Sequence, residues 1–266
     1  VKIVVCIKQV PDTANVRIDP VTNTLVREGV ESIINPFDTY AIEEGIALRE
    51  KHGGEAIVLS MGPPQAAEAL REAISMGADR AILLSDRALA GGDTWSTSLT
   101  IAAAVRKIGE VDLVICGKQA IDGDTAQVGP EVSHLLGWSL AAFCSAVREV
   151  GAGFAVVERL TDYGKQVIRL PLPGVVTVVK DINSPRLPSL RGKLRAKKEE
   201  IPVWGIADLG LAAAEVGLQG SPTKVIHTFT PAPRSGGRVL KGDPEEAAAA
   251  VVELVAGIIS GGGPAK

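Results

Sequence analysis

Short, unbroken runs of apolar residues recur through the first half of the chain, and most are followed by a longer amphipathic segment. Residues 1–8 form the first such run; it is β-branched and continuous, which predicts a strand buried on both faces. Residues 16–28 have the pattern of a small hairpin with its turn around 20–23. Asn35-Pro36 then opens a helix that runs to about His52, where Gly53-Gly54 stops it. Residues 55–61 are the second core strand, with a helix after them from about 64 to 75. Residues 81–85 are the third, and Asp93 or Thr94 opens a helix ending near Ile108-Gly109. Residues 111–116 are the fourth, followed by a polar loop over 117–124 and a helix from about 125 to 136. Four strand-then-helix units in a row predict an α/β fold with a doubly wound parallel sheet and helices on both faces.

After Gly137 the pattern changes. Residues 143–150, 154–160, 166–170 and 175–179 read as strands with no helices between them, and 151–153 and 162–164 are natural turns. These strands are expected to extend the sheet in antiparallel fashion. From Asn183 the chain is rich in Pro, Lys and Arg, then carries scattered apolar residues, a final amphipathic helix over about 243–259 and a disordered end at 261–266. Three parts are expected: an α/β domain over 1–183, a basic segment over 184–200, and a C-terminal arm over 201–266 that adds little core and wraps a partner.

Composition narrows the function classes. A length of 266 residues with 46% hydrophobic side chains suits one large domain, or one domain with a substantial extension. The formal net charge of −3 gives no global field for nucleic acid or anionic membrane. The first apolar run is too short for a secretory signal and no run is long enough to span a bilayer, so a cytoplasmic protein is expected, or one of an organelle matrix. Cys6, Cys116 and Cys144 form no CxxC pair, which argues against zinc, iron–sulfur or disulfide chemistry. Asp122 and Asp124 lie close together without further ligands, so no metal site is expected there. His52, His134 and His227 lie away from the loops that follow the core strands and form no Ser-His-Asp arrangement.

Ligands bind open parallel sheets beyond the carboxyl ends of the strands, so the informative residues are 8–12, 61–64, 85–94 and 117–128. The strongest of these is Gly117-Lys118-Gln119-Ala120-Ile121-Asp122-Gly123-Asp124-Thr125-Ala126-Gln127. Its small residues permit close backbone approach, and it leads into a helix N-terminus, where amide groups and the helix dipole favour phosphate. Gly91-Gly92-Asp93-Thr94 repeats the idea, with Asp93 or Thr94 as the cap. Simple caps and turns account for the same residues equally well. Neither GxGxxG after the first strand nor GxxxxGK[ST] is present, which excludes the usual dehydrogenase and P-loop fingerprints.

The loop at 117–127 closely resembles the nucleotide loop of electron-transfer flavoprotein β subunits. Asn35-Pro36-Phe37-Asp38 resembles the NPF-type segment of that family, and Val5-Cys6-Ile7-Lys8 is similar to the end of its first strand. Met61-Gly62-Pro63 and Met76-Gly77-Ala78-Asp79-Arg80 match in order and spacing, and the resemblance covers essentially the whole chain. It implies an adenine nucleotide α-hydrolase-like domain whose pocket is lined by Cys6, Asn35, Pro36, Phe37, Asp38, Met61, residues 117–127 and Val128. It also implies an α-subunit partner with which an electron-carrying FAD is shared, and a second adenine nucleotide held in this chain's own domain. That nucleotide is AMP in the carrier type and FAD in the electron-bifurcating type, where NADH is the donor. Residues 85–97 resemble the bifurcating type, which would place Asp93, Thr94 and Thr97 against the pyrophosphate or ribityl chain. No catalytic acid or base is implied, because the flavin carries the redox chemistry.

Pro185-Arg186-Leu187-Pro188-Ser189-Leu190, followed by Lys197-Lys198, resembles the loop that docks onto partner dehydrogenases. Leu190 would be its apolar anchor, with Arg191 and Lys193 among the charges around it. The acceptors so implied are an acyl-CoA dehydrogenase-like or quinone-linked protein, with ferredoxin or flavodoxin for the bifurcating type. A stand-alone adenine-nucleotide-binding module of the same topology is the alternative from another class; an extended apolar tail counts against it.

Overall fold

A computed structural model describes residues 1–12, 17–18, 25–26, 32–226, 239–240 and 242–260, with backbone pairing alone at 17–18 and 25–26. Two compact units are present, Val1–Ile226 and His227–Lys266.

In the first unit, β1 (Lys2–Ile7) leads to β2 (Gln9–Pro11), which pairs antiparallel with β5 (Ser32–Ile34). The expected hairpin is present as the antiparallel pair β3 (Arg17–Ile18) and β4 (Leu25–Val26); its turn lies outside the described residues. There follow α1 (Pro36–His52), β6 (Glu55–Met61), a 3₁₀ turn leading into α2 (Ala67–Met76), β7 (Arg80–Leu84), α3 (Thr94–Ile108), β8 (Leu113–Gly117) and α4 (Val128–Leu136). The four core strands and their helices thus stand where the hydrophobic pattern puts them. Boundaries shift by a few residues: α2 begins at Ala67 after the 3₁₀ turn and β8 at Leu113, while α4 begins at Val128 rather than near 125, because Asp124 and Ala126 take left-handed φ values of 54° and 55°, which no α-helix tolerates.

β9 (Ser139–Gly151), β10 (Phe154–Thr161), β11 (Gly164–Pro171) and β12 (Gly174–Val178) complete the second half of the sheet. Its order is β11-β10-β9-β12-β8-β1-β6-β7-β13, the last strand being Val203–Trp204. The antiparallel extension is smaller than expected. β12 runs parallel to both β8 and β9, so β10 alone runs against the rest, pairing antiparallel with β9 on one side and β11 on the other. The reason is burial: all five residues of β12 are buried, and such a strand needs sheet on both sides rather than a place near an edge.

Alternation along β1 divides the core into two layers. Ile3, Val5 and Ile7 join residues of α1 and α2 on one face; Val4 and Cys6 join residues of α3 and α4 on the other. The chain moves outward from β1 to β6 and β7, then crosses back to place β8 on the opposite side of β1. The ends of β1 and β8 therefore form the topological switch point.

The segment after β12 is more ordered than its composition predicts. A helix, α5 (Leu190–Lys198), occupies the stretch read as a basic loop, capped by Ser189 Oγ accepting from the Gly192 amide at 2.9 Å. It lies close to α2: a Cβ at Gly192 would come within 2.1 Å of the Ser75 carbonyl oxygen. Arg186 forks onto Glu43 and Glu50 of α1, with contacts between 2.7 and 3.0 Å. Residues 203–204 then pair with β7, α6 (Ile206–Leu209) follows, and Val216 is fully buried, so the first unit continues well past residue 201. The second unit holds α7 (Pro244–Ile259), capped by Asp243 and confirming the expected final helix. Its Val252, Leu254, Ile258 and Ile259 side chains are exposed. Among the described residues, no helix is long and apolar enough to cross a membrane.

Candidate functional site

A cleft of about 940 Å³ opens at the switch point. Its floor is the end of β1 (Cys6, Ile7, Lys8) and of β8 (Cys116, Gly117), and its sides come from Met61–Pro64, Ser85–Thr94 and the loop after β8. These are the segments that strand-end reasoning selects. The volume is near the upper end of the roughly 300–1,000 Å³ usual for small-molecule sites.

One buried polar cluster organises the floor. Asn35 and Asp38, in the first turn of α1, are 1% and 6% exposed. Asn35 Nδ2 donates to Asp38 Oδ1 at 2.9 Å and to the Gln119 carbonyl at 2.8 Å, while Asn35 Oδ1 accepts from the Ile121 amide at 3.1 Å. Asp38 Oδ2 accepts from the Lys8 amide at 2.7 Å, and the Gly117 amide also bonds the carboxylate. Burial pushes the Asp38 carboxyl up to about 7, against these donors, which favour the charged form. Lys8 Nζ meets Asp122 at 2.7 Å and so ties the same loop to β1 at the surface. Position 117 must be glycine, since a Cβ there would stand 2.3 Å from Asp38 Oδ1 and 2.8 Å from Phe37.

Two helix N-termini face the cleft, and they differ. At α3, Asp93 accepts from the Ser96 amide at 3.1 Å and from both the amide and hydroxyl of Thr223 at 2.9 and 2.8 Å. Burial opposes ionisation of Asp93, but these donors outweigh it and hold the carboxyl below its usual range. This N-terminus already carries an anion. At α4 no side chain caps the helix, and Gln127, Val128 and Gly129 line the cleft. The first amides of α4 are thus open to an anionic ligand. Gly129 lets α4 approach this closely, since its Cβ would lie 2.5 Å from Thr177 Cγ2.

Of the residues the sequence singles out, Cys6, Asn35, Asp38, Met61, Asp93, Thr94, Thr97, Gly117, Lys118, Gln119, Ala120, Gly123, Thr125, Ala126, Gln127 and Val128 line the cleft together. Pro36, Phe37, Ile121, Asp122 and Asp124 are not part of the lining, and Asp122 and Asp124 lie on the exposed surface of the loop. Leu190, Arg191 and Lys193 are elsewhere, on α5. Sequence reasoning missed Ile101, Cys116 and Gly129. Cys116 was legible in principle, because two strands ending in Cys and running parallel place Cys116 beside Cys6. The Cys6 thiol, through a hydrogen bond, and burial both raise the Cys116 thiol well above its usual range, so Cys116 acts as a small apolar group.

The donor set suits a phosphate-bearing ligand: open amides at α4 for phosphate, an apolar body from Ile7, Leu89 and Ile101, and small residues at 90–92 that leave room. A doubly wound α/β domain with its cleft at the switch point is the class that binds nucleotides this way.

Comparison with known proteins gives the family. The electron transfer flavoprotein domain matches residues 22–209. The chain is 48% identical to an electron transfer flavoprotein subunit beta of Thermoanaerobacterium thermosaccharolyticum, over 94% of this chain and 96% of that one. It is 46% identical to the caffeyl-CoA reductase-Etf complex subunit CarD of Acetobacterium woodii, over 91% and 92% of the two chains. Protein FixA of Azorhizobium caulinodans is 48% identical, over 88% and 85%. The chain belongs to the electron-transfer flavoprotein β-subunit family.

Proposed function

We propose that this chain binds FAD in the cleft between β1, β8, α3 and α4 and works with an α subunit as an NADH-dependent, electron-bifurcating flavoprotein. The observation that carries the reading is the size of the cleft together with the open amides of α4. A mononucleotide anchored at α4 would leave the side lined by Ser85–Thr94 empty. The chemistry that a bound flavin supplies is hydride acceptance from NADH and delivery of electrons singly to a high-potential and a low-potential acceptor. The chain's residues bind and orient: the first amides of α4 hold phosphate, Leu89 and Ile101 exclude water, and Asp93 ties Thr223 to the start of α3.

An AMP-holding carrier is the second reading, and one observation favours it. The Asp93 carboxylate at α3 repels a second phosphate at that helix end. Flavin and adenylate released from the purified heterodimer decide between the two. Two FAD per heterodimer support the proposal; one FAD and one AMP overturn it.

The docking face belongs to the same proposal. Leu187, Leu190 and Leu194 are 88%, 78% and 56% exposed and stand among Arg191, Lys193 and Lys197. Apolar anchors ringed by positive charge suit an acidic acceptor protein, either an acyl-CoA dehydrogenase-like or quinone-linked one. Ferredoxin or flavodoxin would take the low-potential electron. Replacing Leu190 by Ala is expected to slow electron transfer to the acceptor while flavin content stays unchanged; loss of flavin instead would refute the assignment. The C-terminal arm is assigned to the α subunit through the exposed apolar side chains of α7, and the compartment to the cytoplasm.

A further inference from the structure

The buried Asn35–Asp38 pair joins parts of the chain that lie far apart in sequence. Asn35 spends both Nδ2 hydrogens and its Oδ1 on the protein, reaching the Gln119 carbonyl and the Ile121 amide of the loop. Asp38 accepts from the amides that end β1 and β8 and from Asn35. The two side chains therefore join α1, both floor strands and the nucleotide loop at one point. A carboxylate offers about four acceptor sites, and donors take three of them here. A proton added to Asp38 removes the charge that strengthens these bonds and so weakens the hold of the carboxyl on its donors.

We propose that Asn35 and Asp38 are positioning residues that clamp the loop at 117–121 into its binding conformation, and that the clamp holds only while Asp38 is ionised. This rests on the nucleotide reading of the cleft above. The charges facing Asp38 are few. From β1 come Lys8, whose ammonium is paired with Asp122 of the loop, and Cys6. From β8 comes Cys116, with Lys118 just beyond it. Lys8 supports the ionised form, and the Cys116 thiol supplies no opposing charge. Burial sets the Asp38 carboxyl at about 7, so the clamp changes state within the physiological range.

The test uses the heterodimer with the nucleotide of this chain removed, titrated with oxidised FAD from pH 6 to 8.5, where FAD does not change charge. If binding requires ionised Asp38, affinity falls about tenfold between pH 8 and pH 6 by proton linkage. Asp38→Asn is expected to bind weakly with no such dependence. Asn35→Ala, which removes a donor favouring ionisation, is expected to shift the midpoint to higher pH. Hydrogen exchange at the Ile121 amide in the nucleotide-free protein should quicken, after correction for intrinsic rates, as pH drops below 7. A flat wild-type affinity profile, or the same pH dependence in Asp38→Asn, overturns the proposal. Should Asp38→Asn not fold, an unmoved midpoint in Asn35→Ala overturns it instead. A protein that binds FAD at no pH refutes the nucleotide reading alone; the exchange experiment then decides the clamp, which fails if Ile121 protection is constant.

Discussion

Asp38 is a carboxyl held in a buried position whose free energy depends on its charge. Its value in the fold, about 7, lies above the 3.8 of an unperturbed Asp, so between these values the native state holds a proton that the unfolded chain has released. Stability from this group therefore falls as pH rises from about 4 to 7 and is level above that. Urea unfolding at pH 5 and pH 8 should show a larger drop for wild type than for Asp38→Asn; equal drops would contradict the burial argument. Gly117 is the second sensitive position. Gly117→Ala drives a methyl into Asp38 and Phe37, and is expected to cost about 1–3 kcal/mol, read from the shift in urea midpoint. The sequence marked both residues, yet as ligand contacts. Their bonds within the protein became visible only when α1 and the loop were brought together.

At the scale of elements, the strands and helices follow closely from hydrophobic periodicity, and the departures have local causes. The left-handed residues Asp124 and Ala126 delay α4 and leave its first amides facing the cleft. Helix α5 was hidden by composition, since a run of Lys and Arg with one Gly resembles a solvated loop. Its order comes from tertiary contacts: Arg71 donates to the Ala196 carbonyl at 2.6 Å and Arg195 to that of Ala78 at 3.1 Å. Gly192→Ala should lift α5 from α2, because its Cβ would sit 2.1 Å from the Ser75 oxygen. The expected result is a loss of about 1–3 kcal/mol and slower transfer to the acceptor, with FAD affinity unchanged. Stopped-flow reduction of the acceptor and equilibrium flavin titration separate the two effects.

For the molecule as a whole, the division at residue 226 makes a direct prediction. A chain ending at Ile226 keeps the entire nine-stranded sheet and the cleft, so it should fold on its own and bind FAD. Calorimetry is expected to show one cooperative transition within a few degrees of the full chain; an unfolded product would show that residues 227–266 are needed by the first unit. The sequence by itself determined the parallel core, the strand ends at which a ligand binds and the family, because hydrophobic periodicity and short loop motifs are local properties of the chain. Only the tertiary structure decided that β12 sits between β8 and β9, that Asp93 also holds Thr223, and that Asn35 ties α1 to the loop. Each of these depends on groups far apart in sequence, whose meeting is set by packing and by the pairing of buried polar atoms.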